Sequence, residues 1–301
     1  MSFAAAASDR DPALVNGAGL AHDRRREDRA LLMLCSPGML LAFLLLCLPI
    51  GWLFWFSFLD AENLPTFEHY SRIWTEGAYV QIFLTTFETS AIVTAICVLL
   101  GYPLAYCLAQ IPQRWSGILM LGVLVPFWTS LLVRTYAWLV LLQRKGVIND
   151  MLVGSGLVDK PLPLVNNLTG TVIGMTHVMI PFLVLPLYAA MRSIDGTYVR
   201  AAANLGASPT KAFWQIYLPL SLPGLLAGMV LTFILCLGFY ITPAILGGGK
   251  VQFIAQRVAT SVSLFPTWGP ASALGVVLLI LTVLILLASQ VVINRWRRTL
   301  G

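Results

Sequence analysis

An all-α polytopic membrane protein with six transmembrane helices is the fold class the sequence predicts. Three observations carry it. Of the 301 residues 58% are hydrophobic, only 11% are charged, and the apolar residues gather into six long runs. Soluble domains carry roughly 25% charged residues, so too little charge is available to cover a water-facing surface. The net charge of +6 fits Lys and Arg held in loops on one side of a bilayer. No basic-aromatic patch points to nucleic acid. Cys35, Cys47, Cys97, Cys107 and Cys236 lie in or beside apolar runs without paired spacing, so neither a disulfide framework nor a zinc site is expected.

Residues 1–34 are Ala-rich, then polar, and read as a flexible tail. The first apolar run, Cys35 to Phe58, has 24 residues without a charge, enough to cross a hydrocarbon core of about 30 Å. It is longer than the apolar core of a secretory signal, and is expected as a retained helix. Trp52, Trp55, Phe56 and Phe58 mark its far end as interface anchors do. An outer loop, 59–81, carries Asp60, Glu62, Glu68 and Glu76 against Arg72. Five further runs lie near 82–109, 117–142, 168–190, 222–246 and 270–293, several with internal Pro or Gly. Residues 294–301 form a basic tail.

Six crossings put both termini on one side, and the charges say which. Arg10, the Arg24–Arg29 cluster, Arg114, Arg192, Arg200, Lys211 and the Arg295–Arg298 tail fall on the terminal side. Only Arg72, Arg144, Lys145, Lys160, Lys250 and Arg257 fall opposite. The excess predicts both termini in the cytoplasm.

The longest inner connection, 191–221, is amphipathic. Tyr198 to Leu205 reads as a short helix, with Val199, Ala202 and Leu205 at helical spacing. Gly206 can end it in the left-handed conformation. Ser208-Pro209 starts a second helix as N-cap and first residue. Its apolar side is Phe213, Ile216 and Tyr217, and Pro219 is expected to close it.

This spacing resembles the cytoplasmic "EAA" loop of ABC importer permeases: E-A-A, three residues, G, nine residues, I, one residue, L-P. Ala201, Ala202, Gly206, Ile216, Leu218 and Pro219 match it; Arg200 stands where that family usually has Glu. The resemblance implies the type I ABC importer permease fold over 82–293, in a bacterial inner membrane. It also implies a loop that docks on a cytoplasmic ATPase dimer, with a different contact at Arg200. Further stretches are similar to the polyamine permeases of the PotB/PotH branch, whose members carry spermidine or putrescine. They are Leu100–Tyr106, Pro126–Ser130 with Val133–Trp138, and Phe239–Gly249. A second, different permease and a periplasmic solute-binding protein are the other partners the resemblance implies. Relatives move other small solutes, such as amino acids, opines or metal ions.

Two ionisable residues, Glu88 and Arg134, lie inside expected helices, where charge is costly and marks function or pairing. They are expected to pair or to share a hydrated cavity on a translocation path, with Trp138 and Tyr240 as aromatic lining. His177 stands alone and reads as a residue that packs or hydrogen-bonds within the bundle. The nearest approach to a P-loop, Gly249-Lys250, has Ala244 at the upstream glycine position and is followed by Val251. No ATPase motif, catalytic residue or cofactor is therefore expected in this chain; ATP and Mg would be bound by the partner. A proton-coupled secondary transporter is the competing class. It calls for several intramembrane acids and an internal repeat, and only Glu88 is found.

Overall fold

A computed structural model of the chain describes residues 12–264 and 267–300. Arg10 and the start of the expected tail lie outside the described residues. Contacts divide the chain into two units, Met1–Trp55 and Phe56–Gly301. Most of the first is helix α1 (Pro12–Ser57), whose apolar part, Met33–Ser57, is long enough to span. Its backbone is helical from Pro12, ahead of the boundary expected at Cys35; alanine at 13, 18, 21 and 30 suits a helix. Side chains such as Met39, Leu45 and Trp55 are exposed.

The second unit begins with a short helix α2 (Glu68–Thr75) and the long α3 (Gly77–Gln110). A broken span follows, α4 (Gln113–Trp128) and α5 (Leu131–Leu142), then the short α6 (Val147–Gly154). Helix α7 (Leu168–Arg192) leads into a helical loop, α8 (Gly196–Asn204) and α9 (Pro209–Ala212). The chain then runs through α10 (Leu218–Leu237), the short α11 (Ile241–Leu246), α12 (Ile254–Leu264) and α13 (Gly269–Leu300).

The core is built where α3, α7 and α10 meet. Val93, Cys97, Met175, Met179, Leu183 and Cys236 bury one end of it, and Leu108, Val184, Leu187, Met191 and Tyr217 the other. The approach of α10 to α7 is close because Gly224 and Gly228 face Pro186, Leu187 and Leu183 with no side chain between. Lipid offers no hydrophobic drive between helices, so small residues that admit van der Waals contact hold such pairs. Helix α2 is joined to one end of the bundle through Ile73, which packs with Tyr79 of α3 on Ala273 and Leu274 of α13.

Two expected spans are corrected. The run near 117–142 is not one straight helix: α4 and the α5–α6 segment meet at 95°. Pro126 lacks a donor, Thr129 is extended, and its hydroxyl donates to the Pro126 carbonyl at 2.7 Å, so the turn ends at Thr129-Ser130. Among the described residues five helices are long and apolar enough to span, or six when this bent pair counts as one. The run near 222–246 breaks at Gly238–Tyr240, and α11 continues from there. The two breaks are linked: α5 packs on α11, and the hydroxyls of Thr135 and Thr242 lie 3.2 Å apart.

Candidate coupling loop and membrane path

Helix α7 ends at Arg192, whose guanidinium donates to the Ala109 carbonyl at 2.9 Å and to Gln113 at 3.0 Å. It thereby satisfies the open end of α3 and ties the α3–α4 turn to the loop that follows. Asp195 caps α8, its carboxylate accepting from the Thr197 amide at 2.9 Å. That bond, aided by the positive charge of Arg200, holds the Asp195 pKa below the ordinary carboxylate value.

The end of α8 is a Schellman turn. The Gly206 amide donates to the Ala203 carbonyl at 2.9 Å and the Ala207 amide to the Ala202 carbonyl at 3.0 Å. Gly206 has φ +84°, the conformation expected for it. Ser208 caps α9 by accepting from the Lys211 amide at 3.3 Å, with Pro209 as the first helical residue. Ala202 and Ala212 are buried, so alanine at these places lets the loop helices pack.

Pro219 does not close the second helix. A π turn, Phe213–Tyr217, carries the chain from α9 into α10, and the Leu218 amide donates to the Phe213 carbonyl. Proline cannot donate to the preceding turn, and the widened turn accommodates that loss without stopping the helix. Pro209 to Leu237 is therefore one 29-residue span, and the loop is fused to a membrane helix.

The loop also grips α3. Tyr106 meets the rings of Phe213 at 5.4 Å and Tyr217 at 5.1 Å, both nearly perpendicular. Tyr102 approaches Phe213 at 6.3 Å, and its hydroxyl lies 3.0 Å from Ser221 Oγ. Such edge-to-face contacts are favourable arrangements of ring quadrupoles. On the other side, Ala201, Leu205, Lys211, Ile216 and Pro219 line a mostly apolar groove of about 600 Å³. Leu205 is 90% exposed there. Arg200, also exposed, lines a second cavity of about 590 Å³ with Tyr106, Arg192 and Tyr217.

The four expected path residues do not form one cluster. Glu88 is exposed on α3, while Arg134 is half-buried on α5. They do not pair: among the described residues the one ion pair is Arg72–Glu76, at 3.1 Å within α2 and its cap. Trp138 packs edge-on against the ring of His177, centroids 5.6 Å apart, which agrees with the packing role read for His177. Tyr240, half-exposed at the start of α11, lines a polar cavity of about 240 Å³ with Gln252, Gln256 and Arg257. Arg257 lies over the Tyr79 ring at 5.1 Å and donates to its hydroxyl at 3.3 Å. No sequence pattern brings positions 79 and 257 together, or 138 and 177; only the tertiary packing does.

With this geometry in hand, comparison with known proteins is informative. Residues 17–299 match the family described as "Binding-protein-dependent transport system inner membrane component". The chain is 32% identical over 221 residues to the spermidine/putrescine transport system permease protein PotB of Haemophilus influenzae, covering 73% of this chain and 77% of that protein. It is 30% identical over 255 residues to PotB of Escherichia coli K12, covering 79% and 92%. A molybdenum transport permease, ModB of Mycobacterium bovis, is 31% identical over 72% of this chain and 78% of its own. Among solved structures, a bacterial ABC transporter importing the acidic polysaccharide alginate aligns with TM-score 0.68 at 17% identity, over 92% of this chain and 98% of its own. A chain of the MetNI methionine ABC transporter aligns with TM-score 0.54 at 18% identity, over 72% and 95%. At these identities the two structures speak to fold alone.

Proposed function

The chain belongs to the family of binding-protein-dependent transport system inner membrane components, and from that membership we propose how its parts serve import. It is a permease subunit of an ABC importer, a multi-pass bacterial inner-membrane protein, and ATP hydrolysis belongs to a separate subunit. The α8–α9 loop is the surface that receives a cytoplasmic ATPase dimer, and both termini share its side of the membrane. A second permease subunit, different from this one, completes the pore, and a periplasmic solute-binding protein delivers cargo to the opposite face.

One observation carries the coupling role: the loop helix and membrane span from Pro209 to Leu237 are continuous, and the loop is braced on α3 by Tyr102 and Tyr106. A push on the α8–α9 surface therefore moves two membrane helices rather than bending a tether. Closure of the ATPases would drive the loops together and open the outer side; hydrolysis would reset the inward-facing state.

The cargo proposed is a polyamine, spermidine or putrescine, supported by the likeness to PotB over most of the chain. Glu88, exposed at membrane depth on α3, is the acidic residue that suits an ammonium group, and Tyr240 offers a ring face to a cation. Spermidine uptake should fall to background when this chain is deleted and return with the wild-type chain. Glu88→Gln should then raise the concentration for half-maximal uptake. Unchanged polyamine uptake in the deletion, with loss of molybdate uptake instead, would replace this cargo.

A further inference from the structure

Arg257, in the first turn of α12, is held over the ring of Tyr79 near the start of α3, 5.1 Å from its centroid, and donates to the Tyr79 hydroxyl at 3.3 Å. Tyr79 is buried, so the contact fixes the direction of the guanidinium. The charge itself is unmet. Arg257 Nε is buried without an acceptor, and among the described residues the one ion pair is Arg72–Glu76, which occupies the acid nearest Tyr79 in sequence. A guanidinium stays charged in a protein. Arg257 lines the cavity of about 240 Å³ with Tyr240, Gln252, Gln256 and Thr260, and no lining residue is acidic. Gln256 Oε1 accepts from the Phe253 amide at 2.8 Å, which leaves its NH2 group as a donor. The N-terminal turn of α12, where the helix dipole favours an anion, adds to the same field. A cation, an amide donor and a positive helix end together complement a carboxylate. Tyr79 and Tyr102, where α3 meets the coupling loop, are about 35 Å apart at 1.5 Å per residue, more than a hydrocarbon core of about 30 Å. The cavity therefore lies on the side of the membrane opposite that loop.

We propose that this cavity is a carboxylate-binding site, filled by an acidic side chain of the solute-binding protein when that protein docks. The inference rests on the proposed function, which places the binding protein on this face and gives it a cationic cargo. A polyamine is repelled by Arg257, so the carboxylate comes from the protein and not from the solute. The pairing bears on transport, because Tyr240, whose ring can receive a cation, shares the cavity with Arg257. An undocked permease keeps a positive charge beside that ring; docking neutralises it and admits the polyamine.

The intact transporter in lipid nanodiscs, with its solute-binding protein titrated in, provides the test. Arg257→Gln should weaken binding by about tenfold or more, as truncating one partner of a hydrogen-bonded charge pair does, and should flatten its salt dependence. Gln252→Glu, at an exposed position of the cavity, leaves the Arg257–Tyr79 contact untouched and should weaken binding by supplying a carboxylate from this chain. In the Arg257→Lys form a water-soluble carbodiimide, taking up the water lost, should condense the new amine with an Asp or Glu of the binding protein. Replacing that acid with Arg, in combination with Arg257→Glu, should restore the affinity. Unchanged affinity in Arg257→Gln and Gln252→Glu, no captured acid, or failure of the charge swap would overturn the proposal. So would a higher solute concentration for half-maximal uptake in Arg257→Gln with binding-protein affinity unchanged, which assigns the carboxylate to the solute. If Arg257→Gln does not assemble, Gln252→Glu and the captured acid decide. Failure of the import reading would look different: the wild-type transporter itself would bind no solute-binding protein and support no uptake.

Discussion

Replacing Gly228 with valine is expected to remove most of the folded permease from the membrane. A Cβ at this position would stand 2.9 Å from the Leu183 carbonyl oxygen and 3.3 Å from Leu183 Cα, both backbone atoms that cannot rotate away. At Gly224 it would collide with Ala190 Cβ and stand 3.2 Å from the Pro186 carbonyl oxygen. Helices α7 and α10 would have to separate along the whole contact, opening the core around Leu183, Leu187 and Leu225. Overpacking costs typically 1–3 kcal/mol at one site, and separation of helices whose packing supplies the stability adds to it. We expect at least a tenfold fall in monodisperse protein after detergent extraction, roughly the 1.4 kcal/mol equivalent, and the same for Gly224→Val. Gly117→Val and Gly122→Val on α4 are the controls: an added Cβ meets nothing within 4 Å at either place. Equal yields for all four variants would mean that the α7–α10 approach is not as close as described.

Gly206→Val is expected to leave the protein in the membrane and break its coupling. The position has φ +84°, and an added Cβ meets no atom within 4 Å, so the penalty is conformational rather than steric crowding. The left-handed region costs an L-residue roughly 1–2 kcal/mol, and a β-branched residue is a genuine outlier there. Relief would come from unwinding the Schellman turn, which turns α8 away from α9. Solute transported per ATP hydrolysed should fall at least about fivefold, the low end of ordinary coupling energies, with surface expression and core stability unchanged. Gly206→Asn should keep most of the activity, because Asn enters the left-handed region several times more readily than other residues. Wild-type uptake in Gly206→Val would remove the loop from the coupling mechanism.

Much of this loop was legible in the sequence because its determinants are local. Glycine at 206 and Ser208-Pro209 each act through one or two neighbouring bonds, and each adopts the conformation its chemistry favours. Pro219 misled for an equally physical reason: a lost donor ends a helix only if the backbone does not rearrange, and here the π turn rearranges it. The breaks at Thr129-Ser130 and Gly238–Tyr240 lie inside apolar runs whose composition reads as continuous. What sets them is the packing of α5 on α11, visible only in three dimensions. The path residues were the least legible. Glu88 and Arg134 are conspicuous as charges, but opposite sign alone did not make them neighbours, and the environment of each is fixed by different helices. For His177 the packing role was legible, and only the fold names Trp138 as its partner.

Leu205 allows the central claim to be tested directly. It is 90% exposed on the α8–α9 surface, beside the groove that Ala201, Ile216 and Pro219 line. A photo-crosslinking residue at this position, in the purified transporter, should capture the ATPase subunit with high yield. The yield should change between the nucleotide-free and ATP-bound states as the loops are driven together. Capture of the periplasmic binding protein instead, or no nucleotide-dependent capture of the ATPase, would contradict the assignment of this loop as the coupling surface.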